Sequence, residues 1–286
     1  MDFLDRDVLI VGGGGAAARA AVEASDSGAN VLLVCKGKFG CSGATNYAVA
    51  DFAGLAVADG TEDPSDTPDW HLKDILEAGL GMCDEKLARF LVEESLQVVP
   101  DLERWGLELE RDSTGKYLIT QACFSSKPRN YKLKGHGRKL LEVLVRQVRL
   151  RKIQVLDEAM VVDILTCGGQ VAGALVFTMD GRWLLVRTSA IILATGGAGQ
   201  LFKFSMNPPD ITGDGYAIGF RAGAELLNME FTQYGLGTIY PLTLFPFWLW
   251  PLQPVLRNGN GKEFVADYLP SMVTLDQAME VHSGHF

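Results

Sequence analysis

Basic residues are in short supply in this 286-residue chain: 26 Lys and Arg stand against 35 Asp and Glu, a formal net charge of −9. That balance gives no electrostatic support to a nucleic-acid-binding role. Long apolar runs are also missing. The longest candidate, Leu242 to Leu252, is broken by Pro246 and Pro251 and is too short to span a bilayer, so no transmembrane segment is expected. Met1 leads directly into Asp2, Asp5, Arg6 and Asp7, and no signal peptide is expected there. The five cysteines (Cys35, Cys41, Cys83, Cys123 and Cys167) show no CxxC spacing. This scatter predicts reduced thiols in a cytoplasmic setting and no zinc or iron–sulfur site in this chain. Any electron relay is therefore expected in another subunit.

What remains is an ordinary globular composition, with 48% apolar and 21% charged residues and enough length for a substantial core. Asp7 to Val11 reads as a buried parallel strand, followed by Gly12 to Gly15 and an alanine-rich helix ending before Gly28. Val31 to Val34 is a second buried strand, which completes a βαβ unit. Downstream, Leu87, Phe90, Leu91 and Val98 fall at helical spacing behind an Asp84 cap, and Leu140, Leu141, Leu144, Val145 and Val148 mark another helix. From Val155 to Val186 short β-type runs are separated by Gly168-Gly169 and Asp180-Gly181, which predicts hairpins. Ala190 to Leu193 reads as a further buried strand entering a second glycine turn, Thr195-Gly196-Gly197.

Gly12-x-Gly14-x-x-Ala17 fits the dinucleotide fingerprint. The first glycine permits the tight turn, and the second lets backbone approach a pyrophosphate. Ala17 keeps helix and strand close, and the helix N-terminus offers unspent N–H groups and the positive dipole end. The acidic residue that would grip an adenosine ribose is absent, with Cys35 and Lys36 in its place. This counts against a simple NAD site. Cys35 reads equally as a buried strand-end thiol or as a ribose contact.

Four phrases in order, DVLIVGGGGAAARAAVEA, CSGAT, AIILATGGAG and TGDGYAIGFRAGAELLNMEFTQY, make the chain resemble the fumarate reductase/succinate dehydrogenase flavoprotein family. That family also includes aspartate oxidases and adenylylsulfate-reductase-like subunits. The similarity covers residues 5 to about 235. It implies an α/β, Rossmann-like FAD-binding domain over residues 1–233, with a mainly helical insertion at 60–150 and a β-hairpin excursion. Residues 234–286 would begin a capping domain, and the chain is expected to be the N-terminal part of a longer protein. The resemblance implies FAD as cofactor. Gly12, Gly14, Gly15, Ala16 and Ala17 match the pyrophosphate turn, and Cys35 and Lys36 the second-strand end. Ser42, Gly43, Ala44 and Thr45 match the loop beside the isoalloxazine, and Ala159 and Met160 the strand packed on the adenine. Ala194, Thr195, Gly196 and Gly197 match the turn near the diphosphate and ribityl chain. Asn207 and Asp214 match the N…TGDG segment, with Asp214 implied as a ribityl contact. TGDG also reads as a helix N-cap turn.

The activity implied is hydride transfer between flavin and a small anionic substrate, and the implied partner is an iron–sulfur electron-transfer subunit. The protein would be cytoplasmic, or peripheral to the membrane through such partners. A non-catalytic flavin-carrying subunit is the reading from a different class. The sequence departs from the family at several points. Ala44 stands where covalently linked members carry histidine, so a non-covalent FAD is expected. Ala50-Asp51 stand where the family often has two glycines, and Gly235-Leu236-Gly237 replace a substrate-binding His-Pro-Thr. The family's catalytic arginine would lie past Phe286, so no catalytic residue is assigned. His136 reads either as a substrate- or phosphate-side group or as an exposed loop histidine, and Arg129 and Arg138 either as anion contacts or as solvated basic residues; the second reading is the expected one in each case.

Overall fold

A computed structural model of the chain describes residues 2–47, 54–122, 125–232, 237–240, 242–244 and 255–268. The expectations for Ala50-Asp51, Cys123, Gly235-Leu236 and the boundary near Gln233 lie outside these residues. Its elements begin with β1 (Asp2–Asp5), β2 (Val8–Val11), α1 (Gly15–Asp26), β3 (Val31–Val34), β4 (Gly54–Ala56), α2 (Pro68–Ala78), α3 (Glu85–Glu94) and α4 (Val98–Arg104). They continue with β5 (Ile119–Thr120), β6 (Asn130–Lys132), α5 (His136–Leu150), β7 (Gln154–Leu156), β8 (Ala159–Cys167), β9 (Gln170–Thr178), β10 (Trp183–Arg187), β11 (Ala190–Leu193) and α6 (Asp214–Arg221). The chain divides into two compact units, one of Met1–Ala53, Trp105–Leu107 and Leu133–Thr243, the other of Gly54–Arg104, Glu108–Lys132 and Leu244–Phe286.

In the first unit β11, β2, β3 and β7 form a parallel sheet in that order. The continuous apolar runs VLIV and VLLV suit central strands covered on both faces. On one side α1 turns Ala17, Ala18, Ala21 and Val22 inward, and these small side chains let the helix axis approach the sheet closely. α5 packs on α1 and buries Leu141, Val143, Leu144, Val145 and Val148, as its spacing predicts. On the other side lies a second sheet, β1-β10-β9-β8, whose two hairpins turn where the sequence predicts. Leu9, Val11, Leu32 and Val34 of the parallel sheet share one core with Val161, Ile164, Ala174, Val176, Leu184 and Val186 of the second.

Ala190 to Leu193 does form a strand but is not buried. β11 is the outermost strand of its sheet, and Ile192 and Leu193 are exposed among the described residues. An edge strand lacks a neighbour on one side, which apolar content alone cannot reveal.

The second unit joins α2, α3 and α4 to a three-stranded antiparallel sheet, β4-β6-β5. Asp84 caps α3 as predicted, accepting hydrogen bonds from the N–H groups of Lys86 and Leu87 at 2.9 and 3.1 Å. The apolar stripe is different from the expected one. Ala88 and Val92 face inward against Leu72 of α2, whereas Leu87, Phe90 and Leu91 are exposed. α2 meets α3 along its small-residue face, and the 3.6-residue period then turns the larger side chains outward. The helix also gives way to a short 3-10 turn at Ser95–Gln97, so Val98 opens α4 instead of extending α3.

Arg129 is a second correction. It is buried, not solvated: Nε and Nη2 donate to Asp66 at 3.0 and 2.7 Å, and Nη1 lies 2.8 Å from Asp74 Oδ2. Its neighbours Pro128 and Asn130 gave no hint that two carboxylates from residues 66 and 74 would meet it. Arg138 is exposed and paired with Glu142, and His136 is exposed at the first position of α5.

Candidate cofactor site

The two glycine turns interlock at the carboxyl ends of β2, β3 and β11. Gly12 N–H donates to Val34 O at 2.8 Å, and Ala194 N–H donates to Val11 O at 2.7 Å. A Cβ on Gly12 would sit 2.1 Å from Ala194 O, and the Gly12 φ of +133° is one that side chains rarely adopt. Glycine is therefore required there by the second turn itself. Gly13 is constrained in a similar way, because its Cβ would lie 2.8 Å from Cys35 Cβ. Gly215, the second glycine of TGDG, lets α6 start against Thr195, whose Oγ1 would be 1.9 Å from a Cβ. Gly14 differs. Its Cβ would meet only Thr45 Oγ1, at 3.4 Å, so the protein itself does not demand a glycine.

These turns open onto a cavity of about 540 Å³ within the first unit. The backbone of Gly12 to Ala16, the end of β3 at Cys35 and Lys36, the Ser42–Thr45 loop and the β8 residues Ala159 and Met160 line it. Ala194, Thr195 and Gly196 close another side with Asp214. Residues as far apart in the chain as Gly12 and Asp214 thus converge on one concavity at the ends of parallel strands, where open α/β sheets bind ligands. Three expected residues do not line it. Ala17 faces the sheet from α1, Gly197 sits one residue beyond the lining turn, and Asn207 packs its side chain on Gly199. The structure adds residues that the sequence reading left unassigned: Gly13, Asp210, Ile211, Gly215, Tyr216 and the segment from Ala224 to Leu227 with Met229. The last of these lies in the phrase AGAELLNMEF, which carried the resemblance but offered no local rule for which side chains face a ligand.

The cavity's chemistry suits a dinucleotide. Gly14 caps α1 without a side chain, which leaves first-turn N–H groups for an anion, although Gly15 N–H donates to Thr45 Oγ1 at 3.1 Å. Cys35 cannot replace the missing ribose-binding acid as an ionised group. Burial, reinforced by Asp157 and Asp210, pushes its thiol up to about 12, and its Sγ donates to Gly37 O at 3.2 Å. Asp214 begins α6 behind Gly213, which has the left-handed φ of +78°. Burial alone would raise the Asp214 carboxyl, but hydrogen bonds from Lys36 and Thr212 outweigh it and hold the group below its ordinary value.

Fold and cavity together define a flavoprotein-type dinucleotide-binding domain. The family model described as "FAD binding domain" matches residues 7–284, and the chain belongs to that family, with FAD as its cofactor. It is 34% identical to one of the subunits of the fumarate reductase (CoM/CoB) of Methanothermobacter marburgensis, over 94% of this chain and 50% of that protein. It is 35% identical to an L-aspartate oxidase of Streptomyces coelicolor, over 84% of this chain and 40% of that one. The solved structure of Mycobacterium smegmatis Sdh1 in complex with UQ1 superposes with a TM-score of 0.85 and 28% identity, over 98% of this chain and 50% of that one. The chain therefore spans about half the length of these relatives. Among the described residues no helix is long and apolar enough to cross a membrane.

Proposed function

We propose that the chain is the FAD-carrying portion of an oxidoreductase of fumarate reductase/succinate dehydrogenase type, acting on a small anionic substrate. The observation that carries this reading is the meeting of two glycine turns, at Gly12 and Gly196, in one cavity at the ends of β2 and β11. A mononucleotide needs only one such turn, whereas a long dinucleotide uses both. Gly12 to Ala16 would hold the pyrophosphate with backbone N–H groups, and Ala159 and Met160 would pack on the adenine. The Ser42–Thr45 loop would lie beside the isoalloxazine, and Asp214 would accept from the ribityl chain. When bound, FAD supplies hydride transfer at its N5 position. The protein's share is to hold the cofactor and exclude water around it. Ala44 offers a methyl group to this loop and no nucleophilic nitrogen, so the cofactor is held without a covalent bond.

The relatives' names support two substrate classes, a C4 dicarboxylate and L-aspartate. An iron–sulfur electron-transfer subunit is the expected partner, in keeping with the chain's similarity to one of the subunits of a fumarate reductase. The test is steady-state turnover of the full-length protein with fumarate and a reduced dye, succinate and an oxidised dye, and L-aspartate and oxygen. Turnover of one pair identifies the class. A protein that binds FAD yet turns over none of them would instead be a flavin-carrying electron-transfer subunit.

A further inference from the structure

The cavity carries a charge problem that the glycine turns do not solve. Among the described residues its charged lining consists of Asp210, Asp214 and Glu225 with a single cation, Lys36. A dinucleotide brings a dianionic pyrophosphate to this acidic lining. The obvious role for Lys36 is that of counter-ion to the phosphates. Its geometry is different. Lys36 Nζ lies 2.5 Å from Asp214 Oδ2 and also donates to Thr212 Oγ1, while Thr212 Oγ1 donates to the same Asp214 oxygen at 2.8 Å. Both of these bonds to the carboxylate fall on Oδ2, and neither uses Oδ1. The pair joins the end of β3 to the start of α6, and both side chains are about 30% exposed. In that setting the charges are only partly screened.

We infer that Lys36 is a positioning residue that serves the cofactor through Asp214 instead of touching the phosphates. It cancels one of the three cavity carboxylates and fixes the rotamer of Asp214, so that Oδ1 accepts from a hydroxyl of the ligand's polyol chain. The phosphates are left to the uncapped first turn of α1. A lysine drawn away to the phosphates would leave Asp214 a partly buried carboxylate without its cation, in a cavity that Asp210 and Glu225 also line. The inference rests on the reading that this cavity takes FAD.

Flavin fluorescence quenching on adding FAD to the full chain, stripped of cofactor, measures the binding constant in five proteins: unmodified, Lys36→Met, Lys36→Arg, Asp214→Asn and the double variant Lys36→Met with Asp214→Asn. Losing a charged hydrogen bond to Asp214 should weaken FAD binding about tenfold in the Lys36→Met variant, and less than about twofold when Asp214 is already Asn. The slope of binding against salt should be unchanged by Lys36→Met, and Lys36→Arg should retain most of the affinity. Equal weakening in both backgrounds, with a shallower salt slope, would overturn the inference and make Lys36 a phosphate counter-ion. Thermal unfolding of the cofactor-free variants identifies any loss caused by misfolding, in which case the Lys36→Arg and Asp214→Asn comparison decides. Failure of the unmodified protein to bind FAD would sink the assignment of the cavity itself, a different outcome.

Discussion

Arg129 holds Asp66 with two parallel hydrogen bonds, Nε to Oδ2 at 3.0 Å and Nη2 to Oδ1 at 2.7 Å, and both side chains are at most 2% exposed. Asp74 sits on the remaining nitrogen and also accepts from the N–H and hydroxyl of Ser126 at 2.9 and 3.0 Å. One guanidinium thus ties the loop before α2, α2 itself and the strand β6 together. Taking away one member of a buried ion pair costs more than the pair contributes, because its partners stay buried and unpaired. Arg129→Met should therefore destabilise the second unit by about 3–5 kcal/mol, read from the denaturant midpoint. Arg129→Lys should recover only part, since an ammonium cannot make the two-pronged contact. An unshifted midpoint for Arg129→Met would refute this account.

His71 gives the same unit a pH dependence. Burial first, and then the neighbouring Arg129 charge, lower its imidazole from 6.5 to about 4, with Asp74 opposing. The folded state therefore binds this proton less readily than the unfolded chain does. Stability is undiminished above pH 6.5 and falls as the pH drops from there towards 4. Melting temperatures across that window should decline, and His71→Phe should flatten the part of the decline that belongs to this residue. An identical slope in the variant would show that other groups are responsible.

Gly12 and Gly14 should respond differently to alanine. In Gly12→Ala the new methyl meets Ala194 O at 2.1 Å in a left-handed backbone, so the fold itself should suffer and the melting temperature fall by several degrees. In Gly14→Ala the methyl finds only Thr45 Oγ1 at 3.4 Å, so stability should stay within about 1 kcal/mol while FAD affinity drops sharply. Matching losses of stability in both variants would contradict the distinction between a turn glycine and a ligand-approach glycine.

Cys35 should resist thiol reagents. Its thiol is buried and pushed up to about 12, whereas Cys41, Cys83 and Cys167 are exposed. Peptide mapping after brief iodoacetamide treatment of the native protein at pH 8 should find label on the exposed cysteines and almost none on Cys35. Rapid labelling of Cys35 would mean that the end of β3 opens readily.

Acid precipitation of the FAD-loaded protein should leave all the yellow colour in the supernatant, because Ala44 has no nitrogen to bond the flavin. Flavin retained in the pellet would point to a covalent attachment elsewhere.

Local pattern determined a large part of this protein. VLIV, GGGGAAARAAVEA and VLLV carry strand, turn, helix and strand within one stretch of chain, and the hairpins announce themselves at Gly168-Gly169 and Asp180-Gly181. Both glycine turns, and with them the family and its cofactor, were legible for the same reason: backbone that must approach a ligand excludes side chains, and glycine is visible in sequence. The tertiary structure decided what depends on residues far apart in the chain. No spacing rule tells that Lys36 reaches Asp214, that Arg129 neutralises Asp66 and Asp74, or that Ala88 and Val92, not Leu87 and Phe90, face α2. Hydrophobic periodicity reports that a helix has an apolar face, and charge reports that a residue seeks a partner. Which face is covered and which partner is met follow only when the elements pack, because burial and ion pairing are properties of neighbours in space.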